Sequence, residues 1–432
     1  MKNTGMKDEN FAKCKILIER YFKSLKSKQN KFIPGKSNIP LAIPPYDSDE
    51  VTESLESLMS MKVTGGKKVS KFENKFAKYI GRKHGIMVNS GSSANLLALS
   101  ILSHPSLKNR IKSGDEIITP AVTWVTSVYP ILNINAIPRF VDVKLNDCTI
   151  DPVQIENAIN KKTKALLVVH LLGNPCDMNQ ITKIAKKHNL WLIEDSCEAH
   201  GAKYNGKYVG SFGDISTFSF YASHHITTME GGMLTTNNKG LNELGRSMRT
   251  FGWSRELGSK KQLEKKFPNI DSRFLFVNTG FNFRPTEIQG AFGIHQIDKL
   301  ERLVKLRIKN ADYWNKKLNN FSNFLILPQK EKHRKSYLLY PITVIKNKFF
   351  TKKGLVKELE KNGVETRPLM TGNMINQPVS KYMKYKKSGK LKNADYIQEN
   401  SFLIGNHHGI ADEQRKFIVD VITNYIISKT SS

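Results

Sequence analysis

Between about residue 50 and residue 250 the sequence repeats one alternation: short apolar runs at 86–88, 116–119, 165–170, 190–194 and 215–220 are separated by segments with helical spacing. Runs this short and this apolar, each followed by an amphipathic stretch, suit a largely parallel sheet whose two faces are covered by crossover helices. Residues 1–45 read differently. An amphipathic stretch over 11–25 is followed by FIPGKSNIPLAIPP, whose prolines and glycine forbid a regular helix or a central strand, so this part is expected to be an arm that wraps over the body. Beyond the alternating region, 258–273 is polar and lysine-rich, as a surface insertion or flap would be. A long helix is expected over 297–318, then a smaller α+β unit built from 339–345, a helix over 353–361, and 363–369. The resulting division is an arm at 1–45, a large α/β domain at 46–296, and a linking helix with a small C-terminal α+β domain at 297–432.

The 432 residues, 39% hydrophobic and 25% charged, are enough for two cores. No apolar run approaches the roughly 20 residues of a membrane helix, and the basic start lacks an apolar stretch followed by a small-residue cleavage site. A cytoplasmic protein without a membrane partner is therefore expected. Cys14, Cys148, Cys176 and Cys197 are scattered with no CxxC or metal-ligand spacing, so free thiols and no metal centre are expected. The net charge of +30 is spread along the chain and joins no nucleic-acid motif. It fits either a phosphorylated small substrate or lysines on solvated faces.

Three local features carry chemistry. HGIMVNSGSSANLLALSIL sets a strand, a Gly/Ser turn and a helix in succession, and the N–H groups and hydroxyls around Ser92 and Ser93 suit a phosphate at the helix start. A serine-capped structural helix would look the same. LWLIEDSCEAHG delivers Asp195 at the end of a strand, with Glu198 three residues on; Asp195 could keep a pyridine nitrogen protonated or simply cap a helix. Trp124 in TPAVTWVTS could stack on an aromatic cofactor or fill a core.

The segment GDISTFSFYASHHITTMEGGMLTT joins these signals. It resembles the sugar-aminotransferase family known as DegT/DnrJ/StrS, whose members share the type I aminotransferase fold: an α/β large domain with a mostly parallel central sheet plus a smaller α+β C-terminal domain. In that family a serine opens the motif, a Schiff-base lysine follows five positions later, and an acidic residue with two glycines closes it. Ser219, His224 and Glu230–Gly231–Gly232 hold those places here. The resemblance implies pyridoxal 5'-phosphate or pyridoxamine 5'-phosphate as cofactor. It implies phosphate contacts from Gly91, Ser92, Ser93 and Ser219, ring stacking by Trp124, the pyridine nitrogen on Asp195, and Glu198 near the phenolic oxygen. Asn282 in TGFNFRPTEIQGAFG resembles the asparagine that reaches the phosphate of the other subunit, which implies a homodimer with shared active sites.

Histidine in place of lysine changes the expected reaction. Imidazole can move a proton near neutral pH but cannot hold the cofactor aldehyde covalently. His224 is then suited to proton transfer in expelling the 3-hydroxyl of a nucleotide-linked 4-keto-6-deoxysugar, and elimination replaces amino transfer; His225 beside it reads as structural. Two kinds of 3-dehydratase in the family share this substitution. One carries an iron–sulfur cluster whose cysteines follow the position of Arg249; residues 249–280 contain none here. The other, the GDP-4-keto-6-deoxy-D-mannose 3-dehydratase kind, regains its pyridoxamine form from L-glutamate, and RTFGWSREL, FLFVNTGFNFRP, VETRPLMTGN and LIGNHHG resemble it. The arm looks more like the cluster-bearing kind, and Phe251 replaces an expected histidine. GDP is favoured over CDP as the nucleotide. Arg255 and Arg367 are candidate contacts to substrate phosphate, since guanidinium matches phosphate geometry; a surface ion pair would use the same residue type. A nucleotide-sugar 4-aminotransferase, an enzyme of the CDP-4-keto-6-deoxyglucose 3-dehydratase kind and a non-catalytic relative are the alternatives.

Overall fold

The structure, a computed structural model, describes residues 9–27, 31–329 and 332–431. In chain order the strands of the main body are β1 (His84–Val88), β2 (Glu116–Pro120), β3 (Ile137–Val141), β4 (Thr163–Val169) and β5 (Trp191–Asp195), a small hairpin of β6 (Lys203–Tyr204) and β7 (Lys207–Tyr208), then β8 (Ile215–Ser219) and β9 (Gly232–Thr236). The C-terminal part adds β10 (Leu325–Ile326), β11 (Leu339–Val344), β12 (Thr366–Pro368), β13 (Lys386–Lys387) and β14 (Ser401–Gly405).

Among the described residues eight strands form one sheet in the order β1-β9-β8-β5-β4-β2-β3-β13. The run from β8 through β13 is parallel, and β9 turns back antiparallel to both β8 and β1. Each of the five apolar runs expected from the sequence falls on one of these strands. The strand β3 escapes that pattern because Pro138 and Arg139 interrupt it. Its neighbour β13 pairs only with Arg139 and Phe140, so the missing N–H of Pro138 costs the sheet no bond on that side.

Side chains alternate across the sheet, as a pleat requires. Ile86, Val88, Leu167, Ile193 and Leu234 pack into one core with the helix Gly91–Leu102, while Met87, Phe218 and Met233 face the opposite side. There the helices Lys67–Ile80 and Glu287–Leu318 supply Phe72, Phe76, Leu300 and Val304. Phe76 is fully buried against Phe218 and Phe220, so truncating it to alanine would cost about 3–5 kcal/mol.

The long helix is longer than expected, beginning at Glu287 rather than at 297. Thr286 and Gln289 form a capping box at its start. Its first turns carry Gly290 and Gly293, which weaken a helical reading of the sequence but serve packing: a Cβ at Gly290 would lie 2.5 Å from the Val69 nitrogen and one at Gly293 2.4 Å from the Phe72 ring. The helix can thus lie almost on the backbone of Lys67–Ile80. Glu287 reinforces the contact by accepting from the N–H groups of Lys68 (2.7 Å) and Val69 (3.2 Å).

A second, antiparallel sheet, β10-β11-β14-β12, is covered by the helices Lys352–Lys361 and Asp412–Thr430 around Trp314, Tyr340, Leu355 and Ile422. The chain then returns to the large sheet through β13, and Met374, Leu391 and Ile397 enter the large core. The arm runs the other way. Its helix Glu9–Ser27 meets the body where Phe22 packs on Tyr46 and Tyr46 on Phe292. Ile39, fully buried in the small core, bridges to Val364, and the N–H of Leu41 donates to Glu365 (3.0 Å). Within 258–273 a short helix, Lys260–Lys266, buries none of its residues. No helix among the described residues is long and apolar enough to cross a membrane.

Candidate active site

The strands β1, β5 and β8 end on the same side of the sheet, and their C-terminal ends assemble a cradle. After β1 the chain turns at Ser90, whose Oγ accepts from the N–H of Ser93 (3.1 Å) and so opens the helix Gly91–Leu102. Ser92 is exposed and Ser93 half-buried on its first turn. Ser219, at the end of β8, touches this turn: a Cβ on Gly91 would fall 2.5 Å from the Ser219 Cβ, and one on Gly232 would fall 2.2 Å from the Ser90 carbonyl oxygen. Glycine at both places is what allows the two strand ends to close around one helix N-terminus, where unpaired N–H groups and the dipole favour an anion.

Asp195 stands at the end of β5, 4% exposed. Its Oδ2 accepts from Asn95 Nδ2 (2.8 Å) and Ser127 Oγ (2.7 Å), and its Oδ1 from the N–H of Cys197 (3.1 Å). Asn95 is itself oriented by Thr217, whose hydroxyl donates to the amide oxygen (2.6 Å). Three donors on one carboxylate fix its orientation at the strand end, where a cationic ring nitrogen would need a partner. Trp124, with a half-exposed indole, directly precedes the short turn Val125–Ser127, which Ser127 anchors to this carboxylate.

Glu198 is buried, and that burial, with Asp195 adding to it, pushes its carboxyl up to about 7. The N–H of Leu172 donates to Oε2 (2.8 Å) and Arg367 attracts it, both opposing the shift. Leu172 holds this bond in a left-handed conformation, φ 56°, a strain of about 1–3 kcal/mol for a residue with a Cβ.

His224 follows β8 on a turn in which its N–H donates to the Tyr221 carbonyl (3.0 Å). Its ring is half-buried, its Nδ1 is buried without a hydrogen-bond partner, and it stands edge-on to His200 and Tyr221 at 6.2 Å. Loss of water lowers its pKa to about 4; the Cys197 backbone and Asp195 resist this and Arg307 reinforces it. The imidazole is therefore neutral at pH 7 and free to take a proton. His225 turns away, fully buried, with Nε2 against the Ser336 carbonyl (3.1 Å).

The structure thus brings Gly91, Ser92, Ser93, Trp124, Asp195, Glu198, Ser219 and His224 to one end of the sheet, with Arg367 on the exposed strand β12 within electrostatic reach of Glu198. Arg255 and Asn282 lie elsewhere. The Arg255 guanidinium stacks on Trp253 (3.9 Å) and lines a cleft of about 930 Å³ with Arg246, Arg249 and Arg284. Asn282 is exposed; its Oδ1 accepts from Arg284 Nε (3.0 Å), and its neighbour Phe283 accepts from the N–H of Asn89 beside the cradle (3.1 Å). Sequence reasoning missed Asn95, Ser127 and Leu172. The first two lie in stretches read only for their neighbours, Ser93 and Trp124, and the Leu-Gly-Asn-Pro turn at 172–175 was the available signal for the third.

With this geometry in place, the comparisons are specific. The family model of the DegT/DnrJ/EryC1/StrS aminotransferase family matches residues 45–423. The GDP-4-keto-6-deoxy-D-mannose 3-dehydratase of Escherichia coli O55:H7 is 39% identical over 375 residues, covering 86% of this chain and 95% of its own. The solved structure of the E. coli GDP-4-keto-6-deoxy-D-mannose-3-dehydratase with bound hydrated PLP superposes with a TM-score of 0.84 at 36% identity, covering 89% of this chain and 99% of that one. A structure of GDP-4-keto-6-deoxymannose-3-dehydratase with a trapped PLP-glutamate geminal diamine gives the same TM-score and identity, covering 89% and 100%. The chain belongs to the DegT/DnrJ/EryC1/StrS aminotransferase family.

Proposed function

We propose that the chain is a pyridoxal/pyridoxamine phosphate-dependent 3-dehydratase that converts a nucleotide-linked 4-keto-6-deoxyhexose into the 4-keto-3,6-dideoxyhexose, using L-glutamate as amino donor and releasing ammonia. The observation that carries this reading is His224: a neutral imidazole occupies the place of the family's lysine, beside the buried Asp195. The residues present fit the cofactor, since the glycine-lined cradle suits a phosphate, the Asp195 carboxylate is held ready by three donors, and the His224 Nδ1 is buried without a partner. When bound, pyridoxamine phosphate supplies the amine that meets the sugar ketone and the ring that withdraws electrons.

The chain's own part follows from that. Gly91, Ser92, Ser93 and Ser219 bind the phosphate, Trp124 covers one ring face, Asp195 keeps the ring nitrogen protonated, and Glu198 stands at the ring oxygen. His224 takes a proton at the cofactor's reactive carbon and returns one to the departing 3-hydroxyl, so it ends as it began. Arg367 binds substrate phosphate in this chain's own site; Arg255, in the separate cleft with Arg246, Arg249 and Arg284, does so, like Asn282, for the site of a second subunit. Asn282, exposed here, reaches the cofactor phosphate of a second subunit, giving a homodimer with shared sites in the cytoplasm; the division into an arm, a large cofactor-binding domain and a small domain is kept, with the second boundary moved from 296/297 to the start of the long helix at Glu287 and the segment around β13 returned to the large domain. The relatives of the GDP-mannose kind favour GDP over CDP.

The deciding experiment incubates the PLP-loaded chain with L-glutamate and either the GDP-linked or the CDP-linked 4-keto-6-deoxysugar, without iron or a reductase. Mass spectrometry should show the sugar with its 3-oxygen lost, and ammonia should appear in equal amount. A stable 4-amino sugar as main product would make the chain an aminotransferase and overturn the reading.

A further inference from the structure

Behind His224 lies an imidazole that the reaction as described does not use. His200 is fully buried, and neither of its ring nitrogens has a hydrogen-bond partner. Its ring is enclosed by Phe76, Phe218 and Phe220 at 5.6 to 6.2 Å, and it touches His225 at 5.6 Å and His224, edge-on, at 6.2 Å. Burying a donor and an acceptor with nothing to satisfy them costs stability, and a phenylalanine among these rings would avoid the cost. Histidine at this position therefore answers to something other than packing.

The charges around the pair show what that is. The charged groups acting on His200 and His224 are Arg307, from the long helix, and Asp195; the Cys197 backbone touches His224, and His225 shares the same pocket. Arg307 opposes a second positive charge there, yet His224 must carry one briefly each time it takes up a proton. A neutral imidazole with a free lone pair is the polar group at its back that can accept a hydrogen bond from the charged ring, directly after a small shift or through one trapped water. We infer that His200 is a positioning residue for His224: it fixes the pose of that ring and accepts a hydrogen bond from it while it is protonated. No proton passes to His200, because its own burial, with His224 and Arg307, keeps it neutral. The inference rests on the reading of His224 as the proton carrier.

The test compares His200→Phe and His200→Gln with the parent, as full-length PLP-loaded protein turning over L-glutamate and the preferred 4-keto sugar nucleotide. His200→Phe should keep its affinity for PLP and a thermal midpoint no lower than the parent's. Its kcat should fall about tenfold or more, with KM for glutamate unchanged. His200→Gln, which retains an acceptor, should recover most of that loss. Parental kcat in His200→Phe would overturn the inference, as would a loss in both variants that merely follows weakened PLP binding. His224→Asn separates the two levels: if it turns over like the parent, the role of His224 itself fails, whereas a dead His224→Asn beside a fully active His200→Phe refutes the present inference alone.

Discussion

Gly91→Ala probes the cradle with a single methyl. The added Cβ would lie 2.5 Å from the Ser219 Cβ, 2.9 Å from its Oγ and 3.1 Å from Cys197 Sγ, against an ordinary contact that begins near 3.4 Å. Ser219 must therefore retreat by roughly 1 Å, the difference between the closest of these distances and that contact. Overpacking of this kind costs about 1–3 kcal/mol, and the better helix propensity of alanine returns up to about 1 kcal/mol, so the free protein should lose no more than about 3 kcal/mol and still fold. Cofactor binding should suffer more. A hydroxyl displaced by an ångström loses its hydrogen bond to a charged phosphate, worth about 1.5–3 kcal/mol, which is roughly a 10- to 150-fold weaker Kd. Absorbance titration of dialysed protein with PLP measures this directly. A folded Gly91→Ala protein that binds PLP as tightly as the parent would show that the turn and Ser219 do not hold the phosphate.

Two further outcomes follow from the same geometry. Mixed with a His224→Asn protein, an Asn282→Ala protein should regain part of the activity that each lacks alone, because the hybrid carries one intact shared site; no recovery in mixtures shown to exchange subunits would refute the sharing. Acid should weaken the fold between pH 6.5 and 4. Burial lowers the pKa of His200, His224, His225, His407 and His408, to about 4 for His224, His407 and His408, so the unfolded chain takes up protons first as the pH falls. Their contribution to stability is complete above pH 6.5 and is lost on the way down to their folded values, while His170, raised to about 10, changes nothing in that window, and the carboxyls of Glu198, raised to about 7, and Asp214, also raised, offset only part of the loss because the folded chain protonates them first. Thermal midpoints should therefore fall from pH 6.5 to 4, and a flat or rising series would contradict the burial of these rings.

What the sequence made legible was whatever local pattern determines. The parallel strands were readable because both their faces are apolar, and His224 because a motif of fixed spacing framed it. The start of the long helix was not, since Gly290 and Gly293 look like helix breakers until Lys67–Ile80 is seen lying against them. The same holds for the partners of Asp195: Asn95 and Ser127 approach it from two other elements, and no spacing along the chain announces a bond across 100 or 68 residues. His200 was invisible for a related reason. A histidine after a strand-end motif is unremarkable until its neighbours prove to be three phenylalanines and the two histidines that follow β8.

The return of the chain to the large sheet through β13 bears on how the protein is made. Until Lys386 and Lys387 arrive, β3 is an open edge whose unpaired backbone groups could template a foreign strand. The segment between Val141 and Lys386 takes about 10–50 s to synthesise at roughly 5–20 residues per second, so a nascent chain that pairs β3 with β2 at once would carry that open edge for as long. The finished molecule closes it with a strand only two residues long, both of them exposed lysines. Too short to template another strand and too charged to attract one, this border leaves the finished sheet little to offer a foreign strand at that edge.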